Sequence, residues 1–317
     1  MKKTISKVSK NKIKIVEVGL RDGLQNETSQ LTVEQRYDLY EKLVKSGIKN
    51  IEIGAFVSPQ WVPQMAGTMP LCKLILSENN SLKYAPEVSV LVPNRQGMLQ
   101  AIDAGIKEVA IFAACSESFS QKNINCSIKE SFERYIPVME LAKEFKIKVR
   151  GYLSTCFYCP FEGKITEKKV ISLAKKMHQL GVYEISIGDT VGAADAGQVV
   201  SLFKNLKKVV PVKKLAGHFH DTRGQALANI LAAHSVGVST FDSSIGGLGG
   251  CPYAPGAAGN VATEDVVYMF DGMKLKSGIN LDVLIAVNSW LQPLINHKLP
   301  SKVGRLGKLK PLGKVQK

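Results

Sequence analysis

Hydrophobic and polar positions follow two patterns that alternate along the chain. Short runs rich in β-branched residues, such as IKIVEVGL and YEISIGDT, predict strands, and longer stretches with apolar residues three and four apart predict helices. The predicted strands cover 13–20, 50–57, 88–93, 108–115, 148–155, 183–190, 214–221 and 240–247. The predicted helices lie near 32–46, 62–78, 95–104, 129–145, 166–180, 195–208, 223–235 and 263–271, with one more at 280–297.

Glycine stands just before several predicted strands, as in KSGIKNIEI, DAGIKEVAI, QLGVYEISI and SVGVSTFDS. Because glycine adopts the left-handed conformation that ends many helices, these segments are predicted turns from a helix into the next strand. Eight successive β-α units predict parallel strands, and eight is the number that closes a (β/α)₈ TIM barrel of the α/β class. An open doubly wound sheet is the alternative.

The domain organisation follows from the same pattern. We expect one catalytic TIM-barrel domain over 13–297, with an additional C-terminal helical region inside it. A basic N-terminal tail is expected over 1–12 and a basic C-terminal tail over 298–317.

The net charge of +15 is concentrated at the two ends of the chain. Residues 1–14 hold six lysines, residues 298–317 hold seven lysines or arginines, and neither segment holds an acidic residue, so the remainder carries about +2. We expect solvated, mobile ends; the alternative is attraction to an anion such as a phosphorylated substrate. A nucleic-acid interface needs a basic face with aromatic platforms, which the central part lacks, so nucleic acid is not an expected partner.

The composition bears on cellular location through apolar runs, the N-terminal sequence and the cysteines. No run of eighteen apolar residues exists, so no membrane association is expected. The lysine-rich start lacks the apolar stretch of a secretory signal, and the six cysteines do not form the pattern of a disulfide scaffold. These observations favour a cytoplasmic protein.

The stretch VEVGLRDGLQNE ends a predicted strand with two adjacent opposite charges, Arg21 and Asp22. A surface turn is the ordinary explanation of such a sequence. In a TIM barrel, however, the C-terminal ends of the strands build the active site, so both charges would lie where a substrate binds. Glu52, inside the second predicted strand, needs a partner if it is buried, and Arg21 on the neighbouring strand is the candidate.

The stretch AGHFHDT places His218 and His220 two residues apart near the end of the seventh predicted strand. Residues i and i+2 of a strand share a face, so both imidazoles project together. Two separately hydrogen-bonded histidines are the alternative to a metal site. With Asp22 as a third ligand, a mixed set of nitrogen and oxygen ligands suits a divalent cation such as Mg²⁺ or Mn²⁺.

The stretch GGLGGCPYAPGAAGN is a glycine-rich loop at the same predicted rim. It does not match the phosphate-binding pattern G-x-G-x-x-G, but it can close over a substrate because glycine is conformationally permissive. Cys251 lies inside it and is either a proton-transfer group or an incidental cysteine. Asn260 at its end offers an amide oxygen to a metal.

Two further features are ambiguous. Asp189, at the end of the sixth predicted strand, is expected to orient a metal ligand from behind. Cys156 and Cys159 form an isolated C-x-x-C, for which two independent thiols are favoured over a redox pair or a zinc site.

These motifs together resemble the 3-hydroxy-3-methylglutaryl-CoA (HMG-CoA) lyase family, which belongs to a superfamily of metal-dependent lyases built on a TIM barrel. The stretches that carry the resemblance are VEVGLRDGLQNE, FVSPQWVPQM, KNINCSI, VRGY, CPFEGKI, YEISIGDT, HFHDTRGQALAN and DSSIGGLGGCPYAPGAAGNVATEDVVYM. They cover most of 13–271 in the order that the family has them, and the cysteine loop is the most specific of them.

The resemblance implies a role for each residue named above. The divalent cation would be bound by Asp22, His218, His220 and Asn260. Arg21 would stabilise negative charge on the thioester oxygen, Glu52 would pair with Arg21, Cys251 would transfer a proton and Asp189 would support the site. His218 is the preferred base for the substrate hydroxyl, with Asp22 as the alternative.

The implied reaction is metal-dependent retro-Claisen cleavage of an acyl-CoA, HMG-CoA, into acetoacetate and acetyl-CoA. A lyase or synthase of the same superfamily acting on another 3-hydroxy-3-alkylglutaryl-CoA is the alternative, and a non-catalytic binding barrel is a remote one. A homodimer or higher homo-oligomer is implied, and leucine degradation and ketone-body formation both stay open as the pathway.

Overall fold

Eight parallel strands close into a barrel within the residues that the computed structural model describes, which are 12–79, 85–251 and 254–308, without the side chains of 251 and 254–258. The strands are β1 (Lys14–Glu17), β2 (Asn50–Ala55), β3 (Glu87–Leu91), β4 (Glu108–Ala114), β5 (Lys148–Ser154), β6 (Glu184–Asp189), β7 (Leu215–Phe219) and β8 (Thr240–Ser243). Each strand pairs with its sequence neighbours, and β1 closes the barrel by pairing with β8, from Lys14 opposite Thr240 to Glu17 opposite Ser243. The predicted TIM barrel is confirmed, and the open sheet is excluded.

Helices surround the barrel between the strands. They are α1 (Val33–Lys45), α2 (Thr68–Asn79), α3 (Arg95–Asp103), α4 (Glu117–Ile124), α5 (Ile128–Glu144), α6 (Glu167–Leu180), α7 (Ala196–Leu206), α8 (Ala226–Ser235), α9 (Thr263–Gly272), α10 (Leu281–Leu291) and α11 (Lys302–Leu306). Two short antiparallel strand pairs, Tyr158–Cys159 with Gly163–Lys164 and Gly250–Cys251 with Ala254–Ala258, lie outside the barrel. No helix in the described part of the chain has the length and apolar character needed to cross a membrane.

Local sequence accounts for several boundaries. The four glycines in the predicted turns all have positive φ: +92° at Gly47, +81° at Gly105, +103° at Gly181 and +108° at Gly237. Helices α1, α5 and α7 begin with capping boxes, in which a side chain at the N-cap and one three residues later each accept a backbone hydrogen bond from the other.

Several predicted elements have other bounds in the structure. The eighth strand stops at Ser243, and the predicted helix at 62–78 is a short turn, Pro63–Met65, followed by α2. The first strand ends at Glu17, and Gly19–Gly23 form a single turn of π-helix, in which Val18 O accepts hydrogen bonds from the N–H groups of Arg21 (3.1 Å) and Gly23 (3.0 Å). Such turns often mark functional sites. The predicted helix at 280–297 ends earlier, since α10 stops at Leu291.

The C-terminal segment corrects the predicted tail that starts at 298. Leu299 and Ser301 are buried, and α11 packs against α9 and α10. Asp265 anchors this segment, because its carboxylate accepts hydrogen bonds from Ser301 Oγ (3.0 Å) and from the N–H of Val303 (2.8 Å). The basic charge of this segment predicted exposure to solvent. Apolar burial and a helix cap instead hold its described residues against the barrel domain.

Candidate metal centre and active site

The π-helical turn after β1 directs two charged side chains into the mouth of the barrel. Arg21 is 5% exposed; its Nε donates a hydrogen bond to Glu52 Oε1, and its Nη1 donates to Asp22 Oδ1 (2.5 Å). Burial by itself would lower the pKa of Arg21, but the carboxylates of Glu52 and Asp22 raise it, so the guanidinium stays charged. The predicted proximity of Arg21 and Glu52 is therefore present.

The two histidines meet Asp22 across the barrel mouth. His218 lies in β7, His220 follows that strand, and β8 separates β7 from β1. The Oδ2 atom of Asp22 is 3.7 Å from His218 Nε2 and 4.0 Å from His220 Nε2, and the two Nε2 atoms are 3.1 Å apart. Three side chains from distant parts of the chain thus direct ligand atoms at one point, all within 4.8 Å of one another.

Electrostatics favour a cation at this point. Burial and the neighbouring His218 lower the pKa of His220 to about 4, so its ring is neutral at physiological pH. His220 Nδ1 is buried without a hydrogen-bond partner in the described residues, and its Nε2 faces another imidazole nitrogen. Although burial raises the pKa of Asp22, the charge of Arg21 lowers it well below its usual range and keeps the carboxylate ionised. The donor set therefore fits a divalent cation.

Asn260 lies beside this cluster but presents its amide nitrogen. It pairs with His220 through an isolated β-bridge, and its Nδ2 donates to Asp22 Oδ2 (2.9 Å) and to the carbonyl of Leu248 (3.3 Å). Coordination through Oδ1 requires the amide to rotate about its last side-chain bond.

Sequence reasoning missed the buried groups behind the histidines. Asp242 on β8 accepts hydrogen bonds from His218 Nδ1 (3.2 Å), Ser186 Oγ (2.6 Å) and Arg150 Nη2 (2.7 Å). Burial lowers the pKa of His218, but the hydrogen bond to Asp242 and the charge of Asp22 raise it above its ordinary value overall. By accepting from Nδ1–H, Asp242 leaves the lone pair of His218 on Nε2, where the cluster needs it.

Arg150 and Tyr152 join Asp242 to Glu52 through the barrel interior. Arg150 is 1% exposed; besides Asp242, it donates to Glu184 Oε1 (2.8 Å) and to the hydroxyl of Tyr152 (2.8 Å). The Tyr152 hydroxyl in turn donates to Glu52 Oε2 (3.1 Å). The available signal was the alternation R-G-Y in the strand KVRGYLS, which places a charged and a polar side chain on the same face.

Asp189 lies at the end of β6 and holds the loop that follows that strand. Its carboxylate accepts hydrogen bonds from the N–H groups of Ala193 (2.9 Å) and Ala194 (3.0 Å), and so shapes the loop after β6. The hydrogen bond from His218 Nδ1 is accepted by Asp242 and not by Asp189. Cys156 and Cys159 have separate partners, since Cys156 Sγ lies 3.8 Å from Cys115 Sγ and Cys159 Sγ lies 2.9 Å from Ser116 Oγ.

The glycine-rich loop follows β8, and its described residues Gly249 and Asn260 lie beside the cluster. Gly249 has a φ of +116°, and a Cβ added there would lie 2.8 Å from Asn260 Nδ2, so the loop backbone passes close to the candidate ligands. Cys251 forms a short strand with Gly250, but its side chain lies outside the described part of the structure.

A cavity of about 690 Å³ opens from the cluster to the surface. Its deep end includes Arg21, Asp22 and both histidines, and its lining also includes apolar residues from β3 and β4. The outer rim carries an exposed tryptophan and two cationic side chains, namely Trp61, Lys122 and Arg134.

Comparison with known proteins finds similar chains over nearly the whole length. A family model described as HMGL-like matches residues 12–291. The chain is 51% identical to a hydroxymethylglutaryl-CoA lyase of Pseudomonas mevalonii, covering 92% of this chain and 95% of that one. It is 48% identical to a 3-hydroxy-3-isohexenylglutaryl-CoA/hydroxy-methylglutaryl-CoA lyase of Pseudomonas aeruginosa, with coverage of 86% and 90%. It is also 48% identical to the mitochondrial hydroxymethylglutaryl-CoA lyase of Rattus norvegicus, with coverage of 93% and 89%.

Solved structures resemble the whole chain. The crystal structure of a hydroxymethylglutaryl-CoA lyase from Pseudomonas aeruginosa has a TM-score of 0.89 and 44% identity, covering 93% of this chain and 97% of that one. An HMG-CoA lyase from Acinetobacter baumannii, in complex with coenzyme A and 3-methylmalate, has a TM-score of 0.90 and 34% identity, with coverage of 97% and 99%. On this evidence the chain belongs to the HMGL-like family.

Proposed function

We propose that this chain is a lyase that cleaves HMG-CoA into acetoacetate and acetyl-CoA. The observation that carries the proposal is the meeting of Asp22, His218 and His220 beside Arg21 at the deep end of the cavity. The names of its relatives at about half identity support the same reaction. When bound, a divalent cation, Mg²⁺ or Mn²⁺, supplies Lewis-acid polarisation of the substrate's hydroxyl and carboxylate oxygens.

The chain's residues handle the proton and the developing charge. A base accepts the proton of the C3 hydroxyl, the bond between C2 and C3 breaks, and its electron pair moves into the thioester as an enolate. Arg21 stabilises the enolate oxygen, and one well-placed donor of this kind is typically worth about 3–4 kcal/mol. We propose that Cys251 then delivers a proton to C2, which completes acetyl-CoA.

The two roles expected of His218 compete for one atom. Its Nδ1 is hydrogen-bonded to Asp242, so only Nε2 is free either to bind the cation or to accept a proton. If His218 is a ligand, Asp22 is the base; if His218 is the base, Asp22, His220 and Asn260 hold the cation. Calorimetric titration of His218→Gln with Mn²⁺ separates the two assignments, because only the first predicts a large loss of affinity.

The cavity suits an acyl-CoA. Its volume lies within the usual range of small-molecule sites, and Lys122 and Arg134 at the rim are placed to attract phosphate groups. Leu91 and Phe112, which share the inward face with Tyr152, form an apolar wall in the lining against which an alkyl group can pack. This wall and the relative named for an isohexenylglutaryl-CoA support a second candidate substrate, a 3-hydroxy-3-alkylglutaryl-CoA with a longer chain.

The deciding experiment is a cleavage assay with the purified chain. We expect acetoacetate from HMG-CoA with Mg²⁺ or Mn²⁺, no product after EDTA treatment, and recovery when either ion is returned. Arg21→Gln is expected to bind Mn²⁺ but to lose most turnover. Absence of acetoacetate with both ions contradicts the proposal, and a larger kcat/KM for the longer thioester favours the second substrate.

Location and assembly stay separate proposals. A cytoplasmic location is tested by cell fractionation, which matters because the rat relative is named as mitochondrial. A homodimer or larger homo-oligomer is tested by sedimentation velocity.

A further inference from the structure

Glu27 joins the loop after β1 to the glycine-rich loop after β8. Its carboxylate is buried, with 4% of the residue exposed, and Oε1 accepts a hydrogen bond from the N–H of Gly249 (3.1 Å). The neighbouring Asn26 donates from Nδ2 to the carbonyl of Gly250 (3.4 Å). Two adjacent side chains therefore hold the two residues that precede Cys251.

Gly249 is the point at which this contact reaches the cation cluster. Its carbonyl accepts the N–H of Gly259 (2.8 Å), the residue before Asn260, and its Cα faces the amide of Asn260. The backbone of Gly249 thus lies between Glu27 on one side and a candidate ligand on the other. A shift of Gly249 is therefore expected to displace both Asn260 and the part of the glycine-rich loop that leads to Cys251.

His297 supplies the charge that a buried carboxylate needs. Its Nε2 lies 2.8 Å from Glu27 Oε2, and its Nδ1 lies 3.1 Å from the carbonyl oxygen of Lys298. Both neighbours accept hydrogen bonds, so this arrangement favours the imidazolium form. Burial lowers the pKa of His297, but its contacts with Glu27 and Lys298 raise it above its ordinary value overall. Asn296 adds a further link by donating from Nδ2 to Thr28 Oγ1 (2.7 Å).

We propose that Glu27, held by His297, is a positioning residue that fixes the glycine-rich loop beside the cation site. The inference rests on the proposed function, because the loop carries the proton-transfer candidate Cys251. A buried carboxylate with a cationic partner is a rigid support, since freeing the loop means breaking a charge-assisted hydrogen bond. His297 would thereby influence turnover, although it is not among the described residues that line the substrate cavity.

The test compares Glu27→Ala with Glu27→Gln, which keeps an acceptor for the N–H of Gly249. For Glu27→Ala we expect kcat to fall roughly tenfold to a hundredfold, with KM within about twofold, because misplacement of the loop affects the transition state. Glu27→Gln is expected to recover most of kcat. His297→Leu is expected to lie between them, because Oε1 of Glu27 is retained but its charge is unbalanced.

A second measurement needs no substrate. Peptide-resolved alkylation by iodoacetamide reports on Cys251, and in Glu27→Ala we expect its rate to rise roughly fivefold because Gly249, two residues before it, loses its hydrogen bond to Glu27. The rates at Cys72 and Cys126, which are buried elsewhere, are expected to stay unchanged. Glu87→Gln is the matched control, since it removes an exposed ion pair with Lys148 at the other end of the strands.

Three outcomes overturn the proposal: unchanged kcat in Glu27→Ala, an unchanged alkylation rate at Cys251, or a parallel rise at all cysteines, which indicates general loosening. If Glu27→Ala does not fold, Glu27→Gln and His297→Leu carry the same comparison. If the wild-type chain shows no thioester cleavage, the proposed function fails, while the alkylation rates still decide whether Glu27 positions the loop.

Discussion

Replacing Asp242 with asparagine tests whether the interior of the barrel sets the properties of the cation site. Asp242 is 1% exposed, and it binds Arg150 through Oδ1 and His218 through Oδ2. Burial would raise its pKa, but Arg150 and the His218 hydrogen bond hold the pKa well below its usual range. The substitution keeps the shape of the side chain and removes its charge.

Two effects of different size are expected. Removing one partner of a buried ion pair typically costs about 3–5 kcal/mol of unfolding free energy. Because Arg150 keeps Glu184 and the hydroxyl of Tyr152, we expect the lower part of that range, about 3 kcal/mol. Loss of the group that orients a metal-binding histidine typically weakens the metal roughly 10–100-fold, which corresponds to about 1.4–2.7 kcal/mol.

The assays are urea denaturation for stability and calorimetric titration with Mn²⁺ for affinity. Ser186→Ala is the matched control, because it removes the hydrogen bond from Ser186 to Asp242 (2.6 Å) and leaves both charges in place. We expect this control to lose only about 1 kcal/mol of stability and to bind Mn²⁺ nearly as the wild type does. Wild-type affinity in Asp242→Asn would refute the link between Asp242 and the site.

Three further predictions concern the surroundings of the site. Burial raises the pKa of Glu264 from 4.5 to about 8, so the folded state keeps a proton that the unfolded state loses, and wild-type stability falls as pH rises between those values. In Glu264→Gln this titration is absent, so we expect the fall in unfolding free energy from about pH 5 to pH 8 to be roughly 2–5 kcal/mol smaller than in the wild type. Urea denaturation measures that free energy, and an equal fall in both proteins contradicts the prediction. Gly249→Ala places a methyl group 2.8 Å from Asn260 Nδ2 and is expected to weaken Mn²⁺ binding roughly tenfold, as measured by calorimetry. Gly224→Ala is the control, because Gly224 also has a positive φ but an added methyl group there has no atom within 4 Å, and its affinity is expected to stay unchanged. Asp265→Ala removes the anchor of α11 and is expected to speed tryptic cleavage of the C-terminal segment several-fold, and an unchanged digestion rate argues against that anchor.

The architecture was predictable because local signals repeat along the chain. Strand runs, amphipathic helices and turn glycines agree on eight β-α units, and closure of eight units into a barrel follows from general packing rules. Boundaries were less predictable where side-chain contacts decide them. The first strand stops at Glu17 because Glu17 Oε1 accepts the N–H of Gly19 (2.8 Å) and of Ile245 (2.8 Å), a long-range pairing that no local pattern contains.

The candidate site was predictable where its residues occupy positions that are unusual for their type. Arg21, Asp22 and the two histidines attract notice because charged and metal-binding groups stand at the ends of apolar strands. Asp242 and Arg150 were missed because they stand inside strands, where an isolated charge has no visible partner in sequence. Their partners are supplied only by register, which sets Asp242 beside His218 on the neighbouring strand.

Register also explains how the barrel tolerates so much interior charge. Hydrogen bonds link seven side chains across the barrel in the order Asp22, Arg21, Glu52, Tyr152, Arg150, Asp242 and His218. The two ends of this series approach each other, with His218 Nε2 3.7 Å from Asp22 Oδ2. This series contains two guanidinium groups and three carboxylates, so it carries one excess negative charge. The carboxylate nearest to both imidazoles is that of Asp22. A buried series of this kind is stable only when every member is satisfied. Among these described side chains, the series is interrupted where Asp22 meets His218 and His220, and a cation bound there would join its two ends.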